Sequence, residues 1–466
     1  MPKLTKPKKL VVIGAGPGGY VAASRAALNG HDVTLIEKSA VGGVCLNEGC
    51  IPTKTLLHSA GLFLALKHDA KRAGVLVDGA RVDWSAVLKR KTMVVSRLAA
   101  GTRELLDKRG VRLIEGVATL KSPGFVEVEG DGEARLFDAD AVIVATGSGA
   151  EVQNIPGFDS EGVITSKEAL SLEALPRSVI ISGGGAIGME FAYMYAAFGV
   201  AVTVAVSSSE ILRNMDSDCA AVLRSSLEKK GVTFYLKSKI TGVSRVSGEV
   251  SVNLETPLGL KTINAEKLLV AKGRRPNTQG LGLEHIGVAD ENGMILTDAH
   301  METNIKGVYA IGDCANHYGL AHVASREADV AVNHISGLDD SEMNYGAIPV
   351  CVYTSPQIAS VGLTEREAAK KGIVVQASRF PLSANGRSVI TGDTGGFVKI
   401  LAAGRKILGV HMAGGPATDM IAEAVLAMSL GASIDDLARV IHSHPTVSEA
   451  LGEAAENVFG VSTHGL

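Results

Sequence analysis

Residues 10–19 read LVVIGAGPGG, and this stretch decides the fold of the region around it. The apolar run predicts a short buried strand, the glycines predict a tight turn, and the Ala-rich residues up to Gly30 predict a helix. The spacing of Gly14, Gly16 and Gly19 is typical of a dinucleotide-binding loop. The first glycine permits the turn, the second lets a diphosphate approach the backbone, and the third brings the helix close to the strand. Glycines that merely close a turn are the alternative interpretation.

The end of the next predicted strand also indicates a nucleotide. That strand covers residues 32–37 and ends at Glu37, 23 positions after Gly14. A carboxylate in this place accepts hydrogen bonds from an adenosine ribose, and the positive end of the helix suits the diphosphate.

A second strand, glycine turn and helix follow further along the chain. Residues 178–199 read SVIISGGGAIGMEFAYMYAAFG and repeat the spacing with Gly183, Gly185 and Gly188. The strand predicted after this copy, residues 200–206, ends at Val206 and not at an acid. Serines 207–209 follow it, and Arg213 could meet a ribose phosphate or be an ordinary surface residue. This copy therefore predicts a dinucleotide without indicating which one.

The rest of the chain predicts an α/β protein with several domains. A long helix is expected over residues 84–108, a strand over 141–147, and alternating strands and helices from Tyr345 onward. The expected fold is two Rossmann-like dinucleotide-binding domains plus a C-terminal α+β domain. The predicted segments are 1–150, 151–275, 276–345 and 346–466.

Composition excludes several classes of protein. Glycine is the outlier at 54 of 466 residues, which fits loops and close backbone approaches. The net charge of −3 provides no basic field for nucleic acid. No apolar run reaches the ~18 residues of a membrane span. The four lysines of residues 1–9 read as a basic tail on a cytoplasmic protein, with a remnant of an organelle-targeting segment as the alternative.

Residues 42–54, GGVCLNEGCIPTK, contain the two cysteines that lie close together in sequence. Residues five apart in a helix are separated by ~7.5 Å along the axis, whereas a disulfide needs Cα atoms within ~4.4–6.8 Å. A bonded Cys45–Cys50 pair therefore needs a distorted segment, which Gly49 and Pro52 are suited to provide. Such a bond is easily reduced.

Other uses of the cysteines stay open. Zinc binding would need two further ligands, and only His58 is nearby, so no metal site is expected. Two inert thiols are the remaining interpretation of the pair. The isolated Cys219, Cys314 and Cys351 are expected to be inert core residues.

With these motifs in this order, the chain resembles the flavin-dependent pyridine nucleotide–disulfide oxidoreductases. The resemblance runs from Lys9 to Gly452, and within the family residues 42–54 are most similar to members that oxidise dihydrolipoyl groups. The matching motifs also include ATG at 145–147, GRRPN at 273–277, GD at 312–313, YTSP at 353–356 and HSHPT at 442–446.

The resemblance implies FAD in segments 1–150 and 276–345, a nicotinamide cofactor in 151–275, and a dimer interface in 346–466. The FAD residues would be Gly14, Gly16, Gly19, Glu37, Lys54, Thr146, Gly147, Gly312 and Asp313. The nicotinamide residues would be Gly183, Gly185, Gly188, Val206 and Gly273.

The resemblance also implies catalytic roles. Cys45 would exchange with the substrate, Cys50 would face the flavin, and Lys54 would pair with Glu190. His444 of one subunit would act as base at the cysteine pair of the other, with Glu449 orienting it, so the active site would be shared across a homodimer. His442 is expected to be structural.

Departures from the family pattern affect the nicotinamide site. Most members have an acid where this chain has Val206, so NAD is expected while NADP stays open. Ala186 replaces a bulkier side chain that often covers the flavin, which implies a more open pocket. Mercuric reductases, glutathione-type reductases and a flavoprotein subunit without turnover are the alternatives.

The implied partner is a lipoyl-bearing protein of a 2-oxoacid dehydrogenase or glycine cleavage complex. Gly14 comes too early for a preceding lipoyl domain, so the lipoyl group is expected to arrive on that partner.

Overall fold

The structure is a computed structural model that describes residues 6–151, 154–338 and 342–464. The chain divides into two compact units, each assembled from three separate stretches. The first unit comprises Met1–Thr55, Leu88–Glu151 and Gly273–Asn344, and the second comprises Leu56–Val87, Val152–Lys272 and Tyr345–Leu466.

The strands, in chain order, are β1 (Lys9–Ile13), β2 (Asp32–Glu37), β3 (Arg112–Glu115), β4 (Val117–Ser122), β5 (Phe125–Gly130), β6 (Glu133–Asp138), β7 (Ala141–Val144), β8 (Ser148–Ala150), β9 (Val163–Ile164), β10 (Ser178–Ser182), β11 (Ala201–Ala205), β12 (Thr233–Tyr235), β13 (Lys239–Val246), β14 (Glu249–Thr256), β15 (Gly259–Ala265), β16 (Lys267–Val270), β17 (Arg274–Pro276), β18 (Asp290–Glu291), β19 (Met294–Ile295), β20 (Val308–Ala310), β21 (Val350–Val352), β22 (Ile358–Gly362), β23 (Gln376–Pro381), β24 (Phe397–Ala403) and β25 (Lys406–Ala413).

The α-helices are α1 (Pro17–Leu28), α2 (Gly43–Glu48), α3 (Cys50–Leu64), α4 (Ala70–Arg72), α5 (Trp84–Lys108), α6 (Ser166–Ala169), α7 (Ala186–Ala197), α8 (Ser217–Lys229), α9 (Ala321–Ser336), α10 (Glu365–Lys370), α11 (Gly386–Thr391), α12 (Ala417–Ser429), α13 (Ile434–Ala438) and α14 (Glu449–Asn457). Among the described residues, no helix is both long and apolar enough to cross a membrane.

The first unit is built on a parallel sheet with the strand order β20-β7-β1-β2-β3. Strand β1 lies between β2 and β7, with Val11 opposite Thr34 and Val142. The residues of β7 and residues 10–13 of β1 are buried, as expected for a parallel sheet covered on both faces. The strand, turn, helix and strand predicted from residues 10–37 are confirmed as β1, α1 and β2.

The second unit repeats this arrangement in a parallel sheet with the order β12-β11-β10-β16-β9. Strand β10 lies between β11 and β16, as β1 lies between β2 and β7. Helix α7, between β10 and β11, is apolar almost all round, and nine of its twelve residues are buried. Such a helix is stabilised by burial on every side. The second predicted copy of the motif is therefore confirmed.

The C-terminal part of the second unit is an antiparallel sheet with the order β21-β22-β25-β24-β23. Its core combines β24 and β25 with apolar residues of α12 and α14, among them Ile400, Met412, Ile421 and Leu451. The predicted α+β region is confirmed. The division of the chain into four segments stays a prediction.

A buried lysine connects two of the three stretches that form the second unit. Lys399 on β24 is 3% exposed, and its ammonium group lies 3.0 Å from Asp216 Oδ2 and 2.8 Å from Asp218 Oδ2. Glu365 is a third carboxylate partner. Asp216 is also buried, and its other oxygen caps α8 by accepting from the N–H of Asp218. Burial lowers the pKa of Lys399, but the three carboxylates together hold it well above the ordinary 10.5.

Lys399→Met is expected to destabilise the protein by about 3–5 kcal/mol, because it leaves the buried Asp216 carboxylate without its counter-ion. Urea unfolding measures the change. Lys406→Met, at an exposed position on the adjacent strand β25, is the control, and equal midpoints for the two variants would contradict this account. Because the pKa of Lys399 is raised, its stabilisation is complete below pH ~10.5 and is lost as pH rises through the higher folded-state value.

Candidate active site

The cysteine segment is divided by a break between two helices. Helix α2 ends at Glu48, Gly49 takes backbone angles of −141° and −107°, and α3 begins at Cys50. Pro52 falls in the first turn of α3, where its missing N–H is not needed. The prediction of a distorted segment is confirmed, and Gly49 is where the distortion occurs. A side chain there would press on the Val44 carbonyl oxygen, 3.0 Å from the Cβ position.

The break brings the two sulfurs together. Cys45 and Cys50 are both thiols in this structure, both half-buried, and their side chains are hydrogen-bonded to each other. That hydrogen bond, with burial, raises the pKa of Cys45, and the charge of Lys54 opposes the rise. The two sulfurs therefore titrate as a coupled pair.

The turn before α2 contacts the first glycine loop. The Gly42 N–H donates to the Ala15 carbonyl oxygen at 2.8 Å. A Cβ on Gly43 would lie 2.6 Å from the Gly16 Cα, so only glycine fits this approach. Asn47 secures the turn by donating to the carbonyls of Val41 and Gly43. The redox segment and the dinucleotide loop are therefore one packed unit.

The two glycine loops have the same geometry. Gly14 and Gly183 have φ of +100° and +129°. A Cβ on Gly14 would overlap the carbonyl oxygen of Ala145, and a Cβ on Gly183 would overlap that of Ala271. Gly19 and Gly188 approach the carbonyl oxygens of those same first glycines. The middle glycines, Gly16 and Gly185, cap α1 and α7 without a side-chain hydrogen bond. A Cβ on Gly185 would meet open space, and one on Gly16 would lie 4.0 Å from the Gly43 Cα. Each loop therefore presents free N–H groups to an anion.

The first loop borders a cavity that fits a nucleotide. The cavity measures about 410 Å³ and lies at the carboxyl ends of β1, β2 and β7, with Gly14, Glu37 and Thr146 in its wall. Glu37 also holds the loop, since one of its oxygens accepts from the Ala15 N–H at 2.7 Å and the other from the Ser39 N–H at 2.8 Å. A carboxylate has further acceptor sites for ribose hydroxyls.

The buried hydroxyl of Thr146 also supports a bound ligand at this cavity. Thr146 Oγ1 is buried and makes no well-formed hydrogen bond among the described residues, although the Cys314 thiol is close to it. A buried polar atom of this kind suits a ligand that completes its bonding. Gly147 follows at φ +66° and leaves open space. The residues present therefore fit an FAD molecule along this edge of the sheet.

Three residues outside the sequence-based assignment organise the predicted Asp313 site. The Ser148 hydroxyl donates to Asp313 at 2.5 Å, and Arg274 lies 3.7 Å from the same carboxylate. Glu327 is fully buried and accepts from the Gly312 N–H at 2.6 Å. Arg274 belongs to the GRRPN motif, which pointed to it. No sequence signal singled out Ser148 or Glu327.

The second loop has no acid at the end of its second strand. Val206 is buried beneath the loop, and its methyl carbons lie 2.9 and 3.0 Å from the Cβ position of Gly184. The next acid, Glu210, is held by Arg224 at 3.0 Å. Ser207 and Ser209 are exposed. Val206 therefore shapes the loop by packing and offers a ribose no polar group.

The predicted base and its orienting acid are in contact. His444 Nδ1 lies 2.8 Å from Glu449 Oε1, and Glu449 Oε2 accepts from the Thr446 N–H at 2.8 Å. Burial raises the pKa of Glu449, but these two hydrogen bonds outweigh it and hold the pKa below its usual range. An ionised Glu449 fixes the proton on Nδ1 and leaves Nε2 as the base. The His444 side chain is 79% exposed, as a residue serving a second chain would be.

The structure also describes Glu190, Lys54 and His442, the other residues that the sequence singled out. Glu190 is buried in α7 and accepts from the Tyr353 N–H at 3.0 Å. Lys54 lies in the first unit and Glu190 in the second, so their pairing stays a prediction. His442 is mostly buried and lies 2.8 Å from Glu423, an arrangement typical of a structural histidine.

The three remaining cysteines lie outside the Cys45–Cys50 pair. Cys219 and Cys314 are fully buried, and burial raises the pKa of the Cys314 thiol to about 11. Cys351 is half-buried in β21. Within residues 6–151, 154–338 and 342–464, no group of three or more His, Cys, Asp or Glu side chains is arranged to hold a metal ion.

Comparison with known proteins identifies relatives over the whole chain. The family model for pyridine nucleotide-disulphide oxidoreductases matches residues 8–328, and the model for their dimerisation domain matches residues 348–455. Dihydrolipoyl dehydrogenase of Bacillus subtilis is 41% identical, with 98% of each chain covered. Mitochondrial dihydrolipoyl dehydrogenase of Pisum sativum is 39% identical over 98% of this chain and 92% of its own.

Two solved structures have a closely similar fold. LpdA from Mycobacterium tuberculosis superimposes with a TM-score of 0.89 at 28% identity, covering 97% of this chain and 99% of its own. The HOCl-induced flavoprotein disulfide reductase RclA from Escherichia coli gives a TM-score of 0.86 at 28% identity, covering 96% and 99%.

Proposed function

The chain belongs to the pyridine nucleotide-disulphide oxidoreductase family, and from this premise we propose that it is a dihydrolipoyl dehydrogenase. It oxidises protein-bound dihydrolipoyl groups through Cys45 and Cys50 and passes the electrons by way of FAD to NAD. The observation that carries this proposal is identity of about 40%, over nearly the full length, to curated dihydrolipoyl dehydrogenases. The paired thiols at the Gly49 break supply the chemistry that this activity needs.

The dithiol step is an exchange between two disulfides. A dihydrolipoyl thiolate attacks Cys45 Sγ of the oxidised pair, the Cys45–Cys50 bond breaks, and Cys50 leaves as a thiolate. The second lipoyl thiolate then attacks the lipoyl sulfur of the mixed disulfide and releases Cys45. The lipoyl ring closes with two electrons left on the protein. Of the two substrate protons, one ends on His444 and the other on Cys45, which balances the thiolate left on Cys50.

His444 provides the base for this step. A thiol near its usual pKa is mostly protonated at neutral pH, whereas the thiolate is the nucleophile. Glu449 holds Nδ1–H, so that Nε2 can take the proton. The exposure of His444 supports its use at the cysteine pair of a second copy, in a homodimer formed through the dimerisation domain.

The two dinucleotide loops divide the cofactors. The first loop, Glu37, Thr146, Gly147, Gly312 and Asp313 would hold FAD, with Lys54 near its reactive edge. The second loop and Gly273 would hold the nicotinamide cofactor. FAD, when bound, would supply the two-electron chemistry that links the dithiol to the nicotinamide. Cys50, at the start of α3, would be the sulfur that delivers the electron pair.

The partner is a lipoyl-bearing protein of a 2-oxoacid dehydrogenase or glycine cleavage complex. A cytoplasmic location is proposed for the protein.

A lipoamide assay tests this function. The purified protein is expected to reduce NAD with dihydrolipoamide and to use NADP more slowly, and kcat/KM for each nucleotide measures the preference. Absence of dihydrolipoamide turnover in FAD-replete protein, with retained reduction of another disulfide, would favour a different reductase of the family.

The purified protein is expected to be yellow and to release one FAD per chain on denaturation. Gly14→Val is expected to lose FAD, because its Cβ would overlap the Ala145 carbonyl oxygen, 2.5 Å away. Absorbance of the released flavin against protein concentration measures the ratio. Gly74→Val is the control, since a Cβ there meets nothing within 4 Å at a similar positive φ. A colourless wild-type protein that takes up no FAD would end this interpretation.

A further inference from the structure

The structural duplication relates residues at the ends of two strands. Ala145 follows β7 and donates its N–H to the Ile13 carbonyl at 2.8 Å, while Ala271 follows β16 and donates to the Ser182 carbonyl at 2.8 Å. Each alanine's carbonyl oxygen lies beneath the first glycine of the adjacent loop. The chain positions after these alanines therefore correspond between the two units.

The corresponding residues are Thr146 and Lys272. The Cβ position of Gly14 lies 3.2 Å from Thr146 Cα, and that of Gly183 lies 3.3 Å from the Lys272 backbone nitrogen. Thr146 borders the cavity of the first loop. The second unit thus has a lysine where the first has a cavity-lining threonine, a relation that the sequence motifs did not reveal.

Lys272 is a half-buried cation. Its side chain makes no ion pair or hydrogen bond with the residues that the structure describes. Burial lowers the pKa of Lys272, and the charge of Lys239 lowers it further. Placing a charge in such surroundings is costly unless an opposite charge neutralises it. The site is therefore suited to an anion.

The position in the fold indicates which part of a ligand would supply that anion. Ligands of open α/β sheets bind at the carboxyl ends of the strands, with a dinucleotide's diphosphate at the N-terminus of the first helix. Lys272 stands at the carboxyl end of β16, beside the turn at Gly183 that leads into α7. Gly185 leaves open space at that helix end.

We propose that Lys272 binds the diphosphate of the pyridine nucleotide, as a further binding residue of the second dinucleotide site. This inference rests on the proposed function, which supplies the nucleotide. The lysine adds a charge to the backbone N–H groups of the loop, so it strengthens NAD and NADP binding alike. Its charge compensates for the affinity that is lost because Val206 cannot hold the ribose as an acid at this position would.

Binding of ADP-ribose to the FAD-loaded protein tests the proposal, because this probe has the diphosphate but no reactive nicotinamide. Lys272→Met is expected to raise the Kd about 10- to 100-fold in calorimetric titrations, the range of a lost charge-assisted hydrogen bond. Lys272→Arg should recover most of the affinity. Lys267→Met removes a charge from a half-buried position at the other end of β16 and should leave the Kd unchanged. Flavin absorbance and the melting temperature check that each variant is folded.

A second probe, 2′-phospho-ADP-ribose, locates the contact. If Lys272 binds the diphosphate, Lys272→Met weakens both probes by the same factor. Weakening of the 2′-phosphorylated probe alone would overturn the assignment, as would an unchanged Kd for both. Reduction of the bound flavin by dihydrolipoamide without nucleotide is measured separately. Its failure would count against the proposed function, while the ADP-ribose result would still decide the role of Lys272.

Discussion

Cys45→Ser and Cys50→Ser are each expected to lower lipoamide turnover by more than about 10³-fold, because a hydroxyl cannot form the exchangeable bond. The two variants should differ in other respects. Cys45→Ser removes the sulfur that meets the substrate, whereas Cys50→Ser removes the sulfur on which the first thiolate forms. Steady-state oxidation of dihydrolipoamide with NAD measures the loss.

Two controls separate chemistry from folding in this experiment. Cys351→Ser changes a half-buried cysteine outside the pair and should retain near wild-type turnover. NADH-dependent reduction of a dye by the flavin should persist in Cys45→Ser, since it does not need the exchange sulfur. Near wild-type lipoamide turnover in either pair variant would sink the mechanism.

His444→Gln is expected to slow the dithiol half-reaction by about 10²- to 10⁴-fold, the range for losing a general base. The rate of flavin reduction by NADH should remain close to wild type, because hydride transfer in that half-reaction needs no proton from His444. Stopped-flow measurement of each half-reaction tests the split. His464→Gln is the matched control, since His464 forms the same Nδ1–carboxylate contact with Glu453, at 2.6 Å. Equal losses in both half-reactions would contradict the assigned role.

Mixing two inactive variants tests whether the site is shared. If the histidine serves the partner's cysteines, a heterodimer of a Cys45→Ser chain and a His444→Gln chain contains one intact site. If it serves its own chain, both sites are defective. Recovery of activity after subunit exchange is the expected result, and its absence in demonstrated heterodimers would place the histidine in the same chain as its cysteines.

Elements that depend on neighbouring residues could be predicted from the sequence, because local periodicity and turn chemistry determine them. The structure contains both predicted glycine loops. It also gives β2 and α5 the bounds predicted for the strand 32–37 and the helix 84–108, or bounds close to them. The break at Gly49 was also predictable, since a pair five residues apart cannot meet within a regular helix.

Contacts between distant parts of the chain could not be predicted in this way. Ser148 and Asp313 are 165 positions apart, and Lys399 and Asp216 are 183 apart. Their pairing depends on how the sheets are assembled, which no short motif records. Lys272 belongs to the same class, because the pairing of β16 with β10 and the approach of Gly183 to its backbone show that it corresponds to Thr146.

The approach of Gly43 to Gly16 has a consequence for how such a protein can change over generations. A side chain at Gly43 would be pressed against the Gly16 backbone, with its Cβ 2.6 Å from the Gly16 Cα, so the cysteine turn can change at this point only if the loop changes with it. The flavin-holding loop and the electron-exchanging turn are thus inherited as one block.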